Sequence, residues 1–363
     1  MSRPIRARLD WSALRHNHTV ARRHAGAARI WSVVKADAYG HGLLGAARAL
    51  AGATDGFALV ELEGAMALRD AGIRHPILML EGPYQAADLP LHAELELTPV
   101  LHTAWQVDAL IDARLPRRMP VYLKLNTGMN RLGFNADEFG RVLDRLAVAD
   151  CLDSVVLMTH FSDADEPRGI AGQMERFRAI VGQRSLPASL ANSAAILRFP
   201  ETHADWIRPG IMLYGSSPFP AMMSASEIGL RPVMTLESEI IAVRDLAGGD
   251  AVGYGSSFVA DKPMRVGILA CGYADGYPRH APTGTPVIVA GRRTRTLGRV
   301  SMDKICVDLD ALPAEVGVGA TATMWGGEGA MHLAADEVAA AAGTVAYELF
   351  CALAARVPFE ESD

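Results

Sequence analysis

Residues 30–42 read IWSVVKADAYGHG, an apolar run that ends at Lys35 and a glycine-containing loop that follows it. The chain has only four lysines, at positions 35, 124, 262 and 304, and uses arginine for most of its positive charge. A lysine amine can lose its proton when it is desolvated and can form a Schiff base, whereas a guanidinium stays charged. The stretch therefore predicts a buried strand with a chemically active lysine at its end. A lysine that only extends its amine from the strand end to water is the alternative.

Further strand–helix units follow this stretch. Short apolar runs alternate with segments of 3.6-residue periodicity until about residue 215. Such alternation predicts parallel strands joined by helices, and eight units predict an α/β fold closed as a (β/α)8 TIM-like barrel. An open doubly wound sheet is the alternative, but no Gly-x-Gly-x-x-Gly turn follows the first strand. The predicted strands are 30–34, 56–60, 76–80, 97–101, 121–125, 154–159, 188–191 and 207–213.

The pattern changes after about residue 230, where short strand candidates are separated by glycine-rich turns. A single helix, at about 333–342, interrupts them. We therefore predict a barrel over residues 8–232 and a predominantly β domain over residues 233–363, with residues 1–7 pairing with the second domain.

Composition excludes several classes of function. The net charge of −6 over 363 residues gives no indication of a nucleic-acid or anionic-membrane partner. The four cysteines have no short spacing, so we expect neither a disulfide framework nor a metal site. The basic N-terminus is not followed by a long apolar stretch, so we expect no signal peptide, no transmembrane helix and a cytoplasmic protein.

Polar residues lie at or just after the ends of four predicted barrel strands, and one more belongs to the eighth segment. Because the carboxyl ends of the strands of such a barrel form one rim, these residues should converge on one site. Each has a structural alternative: a histidine after a strand is commonly structural, and a serine there is a good helix N-cap. Their joint placement predicts a site, made of Lys35, Lys124, His160, Ser193 and Arg208.

The chain resembles the alanine racemase family in eight blocks that occur in the family's order. The resemblance implies a pyridoxal 5'-phosphate enzyme with a (β/α)8 barrel and a C-terminal β domain. It also implies interconversion of L- and D-alanine, which supplies D-alanine for bacterial peptidoglycan. The blocks are VKADAYGHG (34–42), LKLNTGMNRLG (123–133), THF (159–161), ANSA (191–194), RPGI (208–211), VGYG (252–255), GYADGY (272–277) and GRVSMD (298–303).

The resemblance also implies a set of cofactor contacts. Lys35 would bind pyridoxal phosphate as a Schiff base, and Arg208 would face the pyridine nitrogen in place of the carboxylate found in many pyridoxal enzymes. The ring would then be a weaker electron sink, which disfavours side reactions such as transamination. The other implied contacts are His160 stacked on the ring, Arg131 at the phenolic oxygen, and Tyr39, Ser193, Gly210 and Ile211 at the phosphate.

Racemisation needs acid/base groups on both faces of the substrate. The resemblance implies that Lys35 serves one face and that Tyr254 of the other subunit serves the second, so that the active sites belong to a homodimer. Arg131, Met302 and Asp303 would bind the substrate carboxylate. Four residues would line the corridor that leads to the site, namely Tyr273, Arg279, Arg299 and Asp165.

Two positions carry alternatives. Lys124 would place a second positive charge near Arg131, so we expect it to be carbamylated, with an unmodified lysine as the alternative. Ala355 stands where some family members have a tyrosine that contacts the phosphate and narrows the site. This departure puts in doubt the tightness of phosphate binding and the strictness for alanine.

Other functions remain open at this point. A racemase of serine or of broader range would carry the same blocks, and a substrate panel separates it from a strict alanine enzyme. A barrel decarboxylase with the same cofactor would release carbon dioxide, but the blocks around Tyr254 and Lys124–Arg131 do not resemble those enzymes. A pyridoxal-phosphate homeostasis protein is a barrel alone, whereas this chain has about 130 further residues.

Overall fold

The computed structural model describes residues 3–363 and contains a closed barrel of eight parallel strands, which confirms the predicted fold. The last strand is shorter than predicted. It ends at Arg208 because Pro209 has no amide hydrogen for the ladder, and Ile211–Tyr214 forms a 3-10 helix. The barrel strands are Arg29–Val33, Gly56–Leu59, Ile77–Met79, Leu97–Leu101, Met119–Lys124, Leu152–Met158, Ala188–Asn192 and Trp206–Arg208.

Helices surround the barrel and bury their apolar faces against it. Trp11–Ala25 begins at Asp10, whose carboxylate accepts a hydrogen bond from the Ala13 N–H at 3.0 Å. Across the part of the chain that is described, no helix combines the length and apolar character needed to cross a bilayer. The other helices around the barrel are Leu43–Leu50, Leu62–Asp70, Leu89–Glu94, Ala104–Asp112, Ala136–Ala147, Ala171–Val181 and Ser193–Arg198.

Aromatic side chains fill the barrel interior. Trp31 on the first strand donates its indole N–H to the Tyr122 hydroxyl on the fifth strand at 2.8 Å. The Trp31 ring also stacks on Trp206 at a centroid distance of 4.2 Å. Because the first and fifth strands face each other across the barrel, these contacts close its interior beneath the carboxyl ends of the strands.

Both ends of the described chain belong to a second, eight-stranded sheet, here called the C-terminal sheet. Ile5–Asp10 pairs antiparallel with Met234–Leu246 and parallel with Phe359–Ser362. The remaining strands of the C-terminal sheet are Met264–Leu269, Pro286–Val289, Arg292–Leu297, Ile305–Asp308 and Thr321–Trp325. A separate two-stranded hairpin, Ala251–Val252 with Phe258–Val259, holds the turn that contains Tyr254.

Two helices accompany the C-terminal sheet. Ala335–Ala342 matches the predicted helix, and Ala346–Cys351 was not predicted. The second helix packs against the turn that follows the first barrel strand, where a Cβ on Gly40 would lie 2.1 Å from the Phe350 carbonyl oxygen. The C-terminal part of the chain therefore touches the segment that contains Lys35.

Candidate active site

The segment after Lys35 is a left-handed turn made of non-glycine residues. Ala36, Asp37, Ala38 and Tyr39 have φ angles of 52–54° and ψ angles of 41–53°. Each such residue costs about 1–2 kcal/mol relative to a right-handed conformation. Surrounding contacts must offset this cost, and such strain is concentrated at functional sites.

The turn places the Tyr39 hydroxyl beside the backbone of Gly210. The Tyr39 ring is buried and stacks on Tyr214 at 4.7 Å, and the Tyr214 hydroxyl donates to the Val33 carbonyl oxygen at 2.9 Å. A Cβ on Gly210 would lie only 2.4 Å from the Tyr39 hydroxyl oxygen. Glycine is therefore required at position 210, and burial raises the pKa of Tyr39, so its phenol remains a hydrogen-bond donor.

Ser193 lies at the same point. The Gly210 N–H donates to the Ser193 hydroxyl oxygen at 2.9 Å. The structural alternative for Ser193, capping of its helix, does not hold, because Asn192 is the N-cap and accepts from the Ala195 N–H at 3.1 Å. The Ser193 hydroxyl instead faces the cavity beside Tyr39 and Gly210.

Arg208 is a buried cation at the end of the eighth strand, only 5% exposed. Its guanidinium donates to the carbonyl oxygens of Ser189, Thr159 and Leu190 and to the Ser189 hydroxyl, at 2.7–3.2 Å. None of these acceptors is a carboxylate. Burial lowers the pKa of Arg208 to about 10, so the side chain keeps its proton and its charge at neutral pH.

His160 lies beside this cation, with its Nδ1 3.5 Å from the Arg208 guanidinium. Burial, together with the charge of Arg208, holds the pKa of His160 well below its usual value, so the imidazole is neutral. Gln173 braces the same loop: its amide donates to the His160 carbonyl oxygen and to the Thr127 hydroxyl, both at 3.1 Å, and accepts from the Ser162 N–H at 2.9 Å. One buried glutamine thus ties together the loops after the fifth and sixth strands.

Lys124 is 8% exposed and lies among positive charges. Burial, followed by the charges of Arg208 and Arg131, lowers the pKa of the Lys124 amine to about 8. A substantial fraction of this amine is therefore neutral near pH 7–8, unlike that of a surface lysine. Arg131 itself is exposed to the cavity.

These side chains surround one cavity of about 430 Å³. Four cations line it against two carboxylates, so the cavity favours an anionic ligand. Ten of the residues predicted from the sequence lie in its lining: Lys35, Tyr39, Lys124, Arg131, His160, Asp165, Ser193, Arg208, Gly210 and Ile211.

The other six predicted residues do not line this cavity in the single chain described over residues 3–363; they lie after residue 250. Tyr254 is 69% exposed and Met302 is 53% exposed, although both are large side chains. The Arg299 guanidinium lies against Gly255, where a Cβ would be 3.0 Å from it. Tyr273 is joined to the Met302 loop because its N–H donates to the Ser301 carbonyl oxygen at 3.0 Å. Arg279 is also exposed, and Asp303 is half-buried.

An ionic cluster around one buried carboxylate supports the loop of Met302 and Asp303. The Asp275 carboxylate is fully buried and accepts from Arg3 at 2.8 Å and from Arg356 at 2.7 Å. Arg356 also donates to Asp303 at 2.6 Å. Despite burial, these guanidinium groups hold the pKa of Asp275 below its usual value. The cluster fixes the loop of Met302 and Asp303 to both ends of the chain.

The cavity lining also includes residues that were not predicted, among them Glu81, Tyr347 and Cys351. Glu81 follows the third barrel strand, and the strand-end rule that identified Lys35 would have found it. Tyr347 and Cys351 come from the helix Ala346–Cys351, which was not predicted. The Tyr347 ring lies 5.9 Å from that of Tyr39, so an aromatic side chain is present at the cavity. Ala355 is exposed and is not part of its lining.

Comparison with known proteins gives a consistent family assignment. Residues 9–218 match the model of the alanine racemase N-terminal domain, and residues 233–360 match that of the alanine racemase C-terminal domain. The chain is 57% identical to the alanine racemase of Thiobacillus denitrificans, over 99% of this chain and 96% of that protein. It is 53% identical to that of Nitrosomonas eutropha, over 99% of both chains.

A solved structure agrees over the same length. The biosynthetic alanine racemase from Pseudomonas aeruginosa superimposes with a TM-score of 0.95 and 44% sequence identity, covering 99% of this chain and 100% of that one. Sequence relatives and a structural neighbour therefore agree over nearly the whole chain, and this protein belongs to the alanine racemase family.

Proposed function

We propose that this protein is an alanine racemase that interconverts L- and D-alanine with pyridoxal phosphate and supplies D-alanine for peptidoglycan. Support comes from the full-length identity with named alanine racemases. The observation that carries the proposal is the cavity in which Lys35 opens onto three other cations beside the Tyr39–Ser193–Gly210 cradle.

The residues present fit this cofactor. A phosphate group carries up to two negative charges, which the cations Lys35, Arg131 and Arg208 in the cavity lining would attract. The tight approach of Gly210 to the Tyr39 hydroxyl leaves no room for a side chain, as expected where backbone meets a phosphate. Lys35 would hold the cofactor covalently, and Tyr39, Ser193, Gly210 and Ile211 would hold its phosphate.

When bound, pyridoxal phosphate supplies an electron sink that makes the Cα–H bond of an amino acid acidic. The remaining chemistry belongs to the side chains of the protein. Lys35 offers an amine at the carboxyl end of a barrel strand, where it can take up or return a proton at Cα on one face. Arg208 keeps its positive charge because it is hydrogen-bonded to carbonyl oxygens, and His160 beside it stays neutral.

The second acid/base is proposed to be Tyr254 of a partner subunit. Tyr254 is a large side chain that is highly exposed in the single chain, and the Arg299 guanidinium lies beside the next residue, Gly255. Met302 and Tyr273 are exposed in the same region of the chain. We therefore propose a homodimer in which this region meets the barrel cavity of the other chain.

Substrate selection would rest on small size and on the carboxylate. Arg131 is the exposed cation of the cavity and would bind the substrate carboxylate, together with the backbone of Met302 and Asp303. Asp165 lines the cavity and would form the corridor with Tyr273, Arg279 and Arg299 of the partner. Tyr347 narrows the cavity from its own chain, which favours alanine over larger substrates.

We further propose that Lys124 is carbamylated. The neutral amine attacks carbon dioxide, a new N–C bond forms, and one proton is released to solvent, which leaves an anion between Arg131 and Arg208. Crystals grown with bicarbonate should show the extra carboxylate in electron density. A bare amine at Lys124 under these conditions would contradict this proposal.

The function itself is tested with a panel of L-amino acids and the purified protein loaded with pyridoxal phosphate. Chiral chromatography should show the D-enantiomer of alanine as the fastest product, with serine slower. Expression in a bacterium that requires D-alanine should remove that requirement. Serine racemisation as fast as that of alanine would instead support the broader enzyme, and carbon dioxide release would indicate a decarboxylase.

A further inference from the structure

His41 is a fully buried side chain in the turn that follows Lys35, and no step of the proposed reaction uses it. Its Nδ1 lies 2.8 Å from the carbonyl oxygen of Tyr39 and 3.1 Å from that of Ala38. Both carbonyl groups belong to the left-handed turn, and both residues have φ angles of 54°. The imidazole is therefore bonded to the strained segment itself.

The hydrogen-bond partners fix the state of this imidazole. A carbonyl oxygen can only accept, so Nδ1 must carry the proton and donate it. The Nε2 atom is buried and has no partner among residues 3–363, so a second proton there would be a buried, unpaired charge. Burial accordingly lowers the pKa of His41 to about 4, and the ring is neutral at physiological pH.

Packing fixes the position of the ring. His41 lies 4.7 Å from the Tyr214 ring and 5.1 Å from the Phe350 ring, between centroids. Tyr214 is hydrogen-bonded to the strand that precedes Lys35 and stacks on Tyr39. The donor at Nδ1 is thus held by both the barrel and the helix Ala346–Cys351.

From this geometry we propose that His41 is a positioning residue, whose Nδ1–H holds the left-handed turn in the conformation that presents Lys35 and Tyr39 to the cavity. This inference rests on the proposed function for its link to cofactor binding. His41 touches no reacting atom and acts only through the backbone of Ala38 and Tyr39.

A purely structural alternative is that the ring only fills space between Tyr214 and Phe350. Two variants separate the alternatives. His41→Asn keeps an N–H donor at nearly the position of Nδ1 but loses the ring, whereas His41→Phe keeps a ring and loses the donor. If His41 acts as a donor, His41→Asn should bind the cofactor more tightly than His41→Phe. If the ring only fills space, His41→Phe should bind it more tightly.

The first measurement is cofactor binding to the full-length protein, with pyridoxal phosphate removed and then titrated back while its absorbance is followed. We expect His41→Phe to weaken binding by about ten-fold or more, because at least one buried carbonyl group loses its donor. His41→Asn should stay within about three-fold of wild type. Equal weakening in both variants, or a larger effect in His41→Asn, would overturn the proposal.

The second measurement adds Ala36→Gly to each protein. Glycine adopts a left-handed conformation without the cost that a Cβ imposes, so it should recover a large part of the binding lost in His41→Phe. Glycine cannot refill a packing defect at His41, so a space-filling role predicts no recovery. Failure of Ala36→Gly to improve His41→Phe would count against the proposal.

The third measurement does not depend on the cofactor. Hydrogen exchange of a peptide that covers residues 36–42 should be faster in His41→Phe than in wild type and near normal in His41→Asn. The reason is that the amides of His41 and Gly42 donate to carbonyl groups of the turn. Normal exchange in His41→Phe would overturn the inference. If instead the wild-type protein formed no D-alanine while these differences persisted, the proposed function would fail and the role of His41 would stand.

Discussion

The guanidinium of Arg208 donates to the carbonyl oxygen of Thr159 at 2.7 Å, which links the end of the eighth barrel strand to the end of the sixth. The same group also bonds Ser189 on the seventh strand. A planar fork with several donors can make these bonds at once, and a lysine cannot. Arg208 is therefore both a charge in the cavity and a brace across three strands.

Replacement of Arg208 by lysine tests this dual role. We expect Arg208→Lys to lower the free energy of unfolding by about 1–3 kcal/mol, because buried carbonyl groups lose donors. It should also lower kcat by about ten-fold or more, because the charge moves relative to the cofactor. Urea unfolding and racemisation kinetics measure the two effects.

Arg69 provides a matched control. Arg69 is buried and donates to the carbonyl oxygens of Leu95, Ile73 and His75 at 2.8–2.9 Å. These acceptors precede the barrel strands in the chain, so they lie at the end of the barrel opposite the cavity. Arg69→Lys should lower the free energy of unfolding by about as much as Arg208→Lys does. The kcat of the folded protein should stay nearly unchanged. A similar loss of kcat in both variants would show that Arg208 acts on activity only through stability.

Gln173 offers a second test, this time of the loops around His160 and Arg131. Gln173→Met should destabilise the protein by about 1–3 kcal/mol and lower kcat, since the His160 carbonyl and the Ser162 N–H lose their partner. Gln173→Glu keeps the acceptor for Ser162 and should lie between wild type and Gln173→Met. The measurement is kcat and KM at a temperature where all variants are folded.

The control for this series is Gln106→Met. Gln106 is an equally buried glutamine whose amide donates to the carbonyl oxygens of Glu81 and Pro83, in the loop after the third strand. Gln106→Met should lower the free energy of unfolding by an amount similar to Gln173→Met and should lower kcat less. If kcat is insensitive to Gln173→Met, the brace on His160 has no role in the reaction.

The shared active site predicts complementation between two inactive proteins. Lys35→Ala and Tyr254→Phe, mixed under conditions that exchange subunits, would form heterodimers with one intact site each. An equal mixture should then recover about a quarter of wild-type activity, because half of the dimers are mixed and half of their sites are intact. If Tyr254 serves its own chain, mixing will restore nothing.

Solvent deuterium gives an independent view of the same residue. Tyr254→Phe should leave cofactor absorbance unchanged and slow proton transfer mainly on one face of the substrate. Exchange of the Cα proton with deuterium should therefore become unequal between the two enantiomers. If deuterium exchange at Cα slowed equally for L-alanine and D-alanine, this result would contradict the assignment of two opposed bases.

Much of the architecture is predictable from the sequence because it depends on local patterns. The apolar runs and the helical periodicity identify all eight barrel strands, and the strand-end rule places Lys35, Lys124 and His160 on one rim. Arg208 joins them because the eighth strand ends earlier than predicted. Tyr254 and Met302, by contrast, were found only through resemblance. Nothing in their local sequence indicates a site, and in the single chain they do not reach the cavity.

The remaining features depend on contacts between distant parts of the chain. The left-handed conformation of Ala36–Tyr39 is contrary to local preference and is stabilised by Tyr214 and by Phe350, which lie about 175 and 310 residues away. Capping of the helix, the structural alternative for Ser193, is a role that Asn192 fills. Both residues are suitable caps, and the structure distinguishes them because Asn192 accepts from the Ala195 N–H whereas Ser193 accepts from the Gly210 N–H.

Buried neutral histidines predict how stability depends on pH. Burial lowers the pKa of His92 to about 4, whereas the unfolded chain binds this proton near pH 6.5. The stabilisation is complete above pH 6.5 and is lost as pH falls toward 4, because the unfolded state takes up the proton first. We expect His92 alone to contribute on the order of 3 kcal/mol to this loss.

Urea unfolding at several pH values between 7 and 4 measures this slope. The slope of the unfolding free energy against pH reports how many more protons the unfolded state binds than the folded state. His92→Gln should reduce this number by about one. The exposed His280 is the control, and His280→Gln should leave the slope as it is in wild type. An unchanged slope in His92→Gln would mean that His92 is protonated in the folded protein.

The most direct test of the central claim is the formation of D-alanine from L-alanine by the full-length protein loaded with pyridoxal phosphate, compared between wild type and Lys35→Ala. We predict that wild type brings L-alanine to a racemic mixture and that Lys35→Ala is slower by on the order of a thousand-fold or more. Equal rates in the two proteins, or no D-alanine from wild type, would contradict the assignment of Lys35 as the residue on which racemisation depends.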